Sequence, residues 1–185
     1  MNVNVKSLTR TVSLPDGREV TISSKPEPWW VENGASGFVD PALLAPDPKN
    51  PRRTINKARF SELKQSVRSS GVKQQVVVTP LAKAPWVVLP PEDRSKRLVI
   101  VSGWRRCLAA MEEEVKAVPI VVEVYESSKQ HRLTASLYNR HRDDPSPLDD
   151  AYDILQLREE EKWTYEELAD HFGLSAPYIR ARLGL

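Results

Sequence analysis

The sequence predicts an α+β protein: a small mixed sheet with its helices, followed by an all-helical region. Three observations carry this. Apolar runs at 75–79, 98–101 and 118–124 have the β-branched composition of strands buried on both faces. Stretches with helical spacing separate them, as at Phe60, Leu63 and Val67. After Tyr138 the strand pattern stops and successive capped helices follow.

The 185 residues suffice for one or two domains, and 40% hydrophobic with 28% charged residues is ordinary for a globular chain. A net charge of +2 means that any nucleic-acid surface is a local patch rather than a global field. No apolar run approaches the ~20 residues of a membrane helix. The start, MNVNVKSLTR, lacks the apolar core of a secretory signal. The single cysteine, Cys107, excludes an internal disulfide and a cysteine-cluster zinc site. A cytoplasmic, reduced, metal-poor protein is expected.

Taken in order, residues 11–23 read as a hairpin around Pro15-Asp16-Gly17. Residues 25–40 have no clear period, and Trp29-Trp30 is expected to pack onto the neighbouring domain. Leu43-Leu44 is a short apolar piece before a Pro-broken loop at 46–53. A helix over 58–70 is expected to end on Gly71 in the left-handed conformation. Residues 81–96, with four prolines, read as an inserted loop. Leu98–Val101, a Ser102-Gly103 turn and a helix over 104–111 come next, then the strand at 118–124. A helix joining two strands favours parallel neighbours.

Arg105 and Arg106 lie in the first turn of that central helix. Backbone N–H groups at a helix start with two guanidinium groups suit a phosphate; two solvated arginines are the plain alternative. Further on, helices are expected over 127–138 and 147–161, the latter with Leu148, Ala151, Tyr152 and Leu155 on one stripe. The stretch Thr164 to Glu167 has capping-box spacing. Leu168, Ala169, Phe172, Gly173, Leu174 and Ile179 have the spacing of a helix-turn-helix, whose second helix is expected over 175–185. Ile179 and Leu183 would face inward. Candidates for DNA contact are Thr164, Ser175, Ala176, Tyr178, Arg180 and Arg182. A helical hairpin that binds nothing is the alternative there.

Three segments together resemble the ParB partition-protein family. The turn Gly103-Trp104-Arg105-Arg106, with Ala109 and Ala110, is similar to its arginine box GERRxRAA; Trp104 replaces Glu and Leu108 replaces a further Arg. Asn50-Pro51-Arg52 and Gly71-Val72-Lys73-Gln74 resemble the first box. Asn139, Arg142, Asp144, Pro147 and Ala151 match the third box, ENxQRxDLxPxEEA, with Tyr138 in place of its Glu and His141 in place of its Gln.

The resemblance implies a ParB/sulfiredoxin-like N-terminal fold over 39–138, followed by a DNA-binding domain over 139–185 with its helix-turn-helix at 164–185; the N-terminal hairpin and irregular arm over 1–38 have no counterpart in the family's boxes. It implies a CTP site at Gln74, Ser102, Gly103, Trp104, Arg105, Arg106, Asn139 and Arg142, with Mg2+ at Asn139. Hydrolysis is expected to be weak or lost, since the Tyr138 phenol cannot take a proton as a carboxylate does. The implied partners are duplex DNA with a palindromic centromere-like site, a ParA-type ATPase and a second copy of the chain in a homodimer. The setting would be the bacterial nucleoid or a plasmid, and the task partition or repression. Family members carry further helices and a dimerisation domain, so a longer parent protein is expected.

Two other readings remain. One is a nucleotide-independent plasmid repressor. The other is an enzyme, either a ParB-like nuclease using Asp143-Asp144 or a sulfiredoxin-like protein using Cys107.

Overall fold

Apolar runs bounded by glycine and proline become the strands of a single sheet, and the amphipathic stretches become helices. The computed structural model describes residues 9–23, 28–50, 55–140 and 147–184. These fall into two compact units. Among the described residues, one comprises 9–23, 28–48 and 56–125; the other comprises 49–50, 55, 126–140 and 147–184.

The first unit holds β1 (Thr9–Ser13), β2 (Glu19–Ser23), β3 (Ser36–Val39), β4 (Leu44–Pro46), β5 (Val76–Pro80), β6 (Leu98–Ser102) and β7 (Val118–Val122), with α1 (Lys57–Ser70) and α2 (Trp104–Glu112). The described strands form one mixed sheet in the order β1-β2-β3-β7-β5-β6-β4. Every residue of β6 is buried, as its unbroken apolar run requires. Asn56 caps α1 by accepting from the Arg59 N–H, and Phe60 and Val67 turn into the core.

Three expectations about the first unit are corrected here. First, β6 and β7 are not parallel neighbours. Both edges of β6 are taken, by β4 (parallel) and β5 (antiparallel), so β7 pairs with the far edge of β5. Second, residues 1–38 are not a separate arm. Their described strands extend the sheet, and β3 lies inside it against β7, within a stretch that has no strand pattern in sequence. Third, Gly71 has φ 69° but ψ −173°, an extended glycine-only conformation rather than a left-handed helical cap. By packing, the two compact units divide at Tyr125/Glu126. Trp29 and Trp30 pack onto the core as expected: Trp30 is buried, and a Cβ on Gly37 would lie 2.7 Å from the Trp29 ring.

The second unit contains α3 (Ser128–Arg140), α4 (Pro147–Glu161), α5 (Tyr165–Phe172) and α6 (Ala176–Arg182). Its core is Ile154, Leu157, Leu168, Ala169, Phe172 and Ile179, with Leu133 and Leu137 of α3 packed against it. That packing is why α3 belongs to this unit. The apolar stripe of α4 is not its buried face. Leu148, Tyr152 and Leu155 are exposed, whereas Asp150, Asp153, Ile154 and Leu157 are buried. No described helix is long and apolar enough to cross a membrane.

Candidate functional site

The first candidate site is the turn between β6 and α2. Gly103 has φ 102° and ψ 17°, which reverses the chain from strand into helix and favours a residue without a Cβ. A Cβ there would lie 3.2 Å from Val76 Cγ2 and 3.3 Å from Arg106 Cζ, so the glycine also makes room for the guanidinium. Arg106 Nη1 donates to the Gln74 carbonyl at 2.9 Å and to the Gln75 carbonyl. Both acceptors are neutral. Burial pushes the Arg106 pKa down from its ordinary value, but the group stays charged near neutral pH. Among the described residues no carboxylate is paired with Arg106, so its charge stands at the first turn of α2, where the Arg106 N–H is itself bonded to the Gly103 carbonyl at 2.9 Å.

Sequence-predicted residues Gln74, Ser102, Gly103, Trp104, Arg105 and Arg106 therefore meet at one turn. Gln74 contributes its carbonyl to Arg106 while its side chain is exposed. Ser102 is buried, Trp104 packs against the core, and Arg105 is half-buried. Cys107 is fully buried and its thiol is pushed up to about 12, so near neutral pH it is not the reactive thiolate that the sulfiredoxin reading needs. Asn139 belongs to the helical unit, and its Nδ2 is buried without a hydrogen-bond partner among the described residues. Arg142, His141, Asp143 and Asp144 lie outside the described residues, as do Pro51 and Arg52. Among the described residues no group of three His, Cys, Asp or Glu is placed to hold a metal. Asn139 alone would offer a cation one neutral amide oxygen.

The second candidate site is the helix-turn-helix. Thr164 caps α5 in a full capping box with Glu167, Gly173 turns the chain in the left-handed conformation (φ 62°, ψ 36°), and Ser175 caps α6 through the Tyr178 N–H. Ile179 is buried and Leu183 packs on the core, as expected. The second helix ends at Arg182, with Leu183 as its cap, rather than running to 185. Thr164, Ser175, Tyr178 and Arg180 are exposed. Ala176 packs against the helical core instead. Arg182 is half-buried: its Nε donates to Asp150 at 3.0 Å and its Nη2 to the Tyr178 hydroxyl at 2.8 Å. With Leu148, Ala151, Tyr178 and Ala181 it lines a groove of about 490 Å³ between α4 and α6.

A buried ionic network that the sequence reading missed supports this site. Asp150 holds two arginines, Arg140 of α3 at 2.7 Å and Arg182 of α6 at 3.0 Å. One turn on, Asp153 pairs with Arg132 at 3.1 Å and accepts from the Ser136 hydroxyl. Burial pushes the Asp153 carboxyl above its usual range, with Arg132 and Ser136 opposing it. The available signal was a polar stripe at Arg132, Ser136 and Arg140, with helical spacing, beside the apolar pair Leu133 and Leu137.

Residues 31–138 match the family model described as the ParB N-terminal domain. The chain belongs to the ParB family. Stage 0 sporulation protein J of Bacillus subtilis is 31% identical over 144 residues, covering 78% of this chain and 46% of its own length. This ParB-family chain thus spans less than half the length of that relative. Among solved structures, the C-terminally truncated chromosome-partitioning protein ParB of Caulobacter crescentus complexed to the centromeric parS site is 25% identical. It covers 79% of this chain and 69% of its own, with a TM-score of 0.53. The same Caulobacter protein complexed with CTP-γ-S is 27% identical, covering 81% and 77%, with a TM-score of 0.48.

Proposed function

We propose that this ParB-family chain is the nucleotide-binding and DNA-reading part of a partition protein. The helical unit reads a palindromic centromere-like duplex through α6. The α/β unit binds CTP at the β6–α2 turn, and binding biases two copies of the chain toward a closed clamp. A ParA-type ATPase is the partner and the bacterial nucleoid or a plasmid the setting. The carrying observation is the completely capped helix-turn-helix from Thr164 to Arg182, held by the helical core. The Caulobacter relative seen on its centromeric site points the same way.

In this reading the α2 N–H groups and the two arginines grip the triphosphate. Arg106 is both brace and charge: its carbonyl partners fix its position without cancelling it. Binding energy then shifts the population toward the state that holds the nucleotide better. Asn139 Nδ2 is a buried donor that an incoming acceptor oxygen would satisfy. Among the described residues no three His, Cys, Asp or Glu side chains cluster, and no step is assigned to the metal. Hydrolysis is weak, because Tyr138 stands where the family motif has its Glu.

A nucleotide-independent repressor is the second reading, favoured by Trp104 and Tyr138 at the two positions where the motifs have carboxylates. Selection of binding sites from a random duplex pool, with and without CTP, separates them. A recovered palindrome whose retention changes with CTP supports the clamp. A palindrome indifferent to CTP supports the repressor. No enriched sequence would contradict both.

A further inference from the structure

We infer that Glu166 is a specificity-determining residue of the DNA reader, acting by withholding Arg180 from sequence-blind contact with phosphate. The inference rests on α6 being a DNA-reading helix. The first turn of α5 carries two acids, and only one is needed to cap it. Glu167 takes the Thr164 N–H at 2.7 Å and its hydroxyl at 3.0 Å, closing the capping box. Glu166 has no part in that box. Its Oε1 accepts instead from Arg180 Nη2 at 2.8 Å, a contact between the two helices of the helix-turn-helix. Arg180 also lies over the Tyr165 ring, 5.4 Å from its centroid, so two consecutive residues of α5 hold one guanidinium.

Both side chains of the pair are largely exposed, 49% for Arg180 and 62% for Glu166, so the pair contributes little to stability. Its effect falls on binding. Phosphate attraction depends on charge and is the same for every sequence, whereas a base edge is read by fixed hydrogen-bond geometry. A carboxylate on the guanidinium cancels the charge that a random duplex would use, and a phosphate must displace it. A base-edge acceptor needs only the donors that Glu166 leaves unused, already oriented by Tyr165 and Glu166. The carboxylate therefore weakens random binding more than site binding, which is discrimination by a built-in penalty.

The test measures binding of the full chain to a random-sequence duplex and to the duplex it selects, at salt from about 50 to about 200 mM. Wild type, Glu166→Gln and the double variant Glu166→Gln/Arg180→Gln are compared. Glu166→Gln is expected to steepen the log–log salt slope on the random duplex by about 0.9, the value of one added phosphate contact. It should raise affinity there several-fold at low salt and lower the ratio of selected to random binding. Adding Arg180→Gln should abolish the gain. An unchanged slope on the random duplex, an equal gain on both duplexes, or a gain that survives in the double variant would overturn the inference. A wild-type chain that binds neither duplex would overturn the DNA reading and this inference together.

Discussion

Arginines at the start of α2 and at the end of α6 are held in chemically different ways. Arg106 is fixed by the neutral carbonyls of Gln74 and Gln75, while Arg180 and Arg182 are fixed by the carboxylates of Glu166 and Asp150. A carbonyl satisfies the donor and leaves the charge; a carboxylate satisfies the donor and cancels it. The first arrangement keeps a field that any polyphosphate feels. The second makes the cation available only to a ligand that offers more than the acid does. Position at a helix end, read alone, does not distinguish them.

The largest expected effect comes from removing a partner in the buried network. Asp153→Ala leaves Arg132, 4% exposed, without its nearest carboxylate. The helical unit should lose about 3–5 kcal/mol in urea unfolding. Glu166→Gln, at an exposed pair, should shift the same unfolding by no more than about 1 kcal/mol. Equal effects would dissolve the distinction between the buried and exposed pairs.

Gly103→Ala comes next. Its positive φ and the contacts with Val76 and Arg106 should cost about 1–3 kcal/mol in the α/β unit. Because the new methyl displaces Arg106, CTP titration should show weaker binding as well. Lost stability with unchanged nucleotide affinity would separate Arg106 from the phosphate site.

The smallest effect is one of pH. His171 packs between Trp163 and Phe172, and its pKa is lowered from 6.5, first by burial and further by the nearby Arg140 charge. The unfolded chain therefore binds this proton more readily than the folded one. Stability is fully present above about pH 6.5 and is lost as pH falls from there through the lower folded value. His171→Gln should flatten the urea midpoint against pH between about 7.5 and 5, and an unchanged slope would remove His171 from the account.

Much of the fold was legible because burial and composition agree. The runs at β5, β6 and β7 are apolar because they lie inside the sheet, and the capping box and Gly173 mark their helix ends by local chemistry. The strand β3 was not legible, since Ser36 and Gly37 carry no apolar alternation and Gly37 is there to admit the Trp29 ring. The inner face of α4 was misread for a related reason. Ranking by hydrophobicity sends Asp150 and Asp153 outward, but Arg132, Arg140 and Arg182 bring them in. The strand order was out of reach because one edge of β6 is filled by β4, a three-residue strand distant in sequence, which leaves β7 to the far edge of β5. At the candidate site the glycine bend and arginines were readable, but not the carbonyls that hold Arg106, which belong to the backbone.

Calorimetric titration of CTP into the chain and into its Arg105→Ala variant tests most directly whether the β6–α2 turn grips a polyphosphate. Saturable binding to the native chain is predicted, with a loss of about tenfold to a hundredfold in the variant, the worth of one charge-assisted hydrogen bond. No heat from the native chain, or equal affinity in the variant, would contradict the assignment of this turn to the nucleotide.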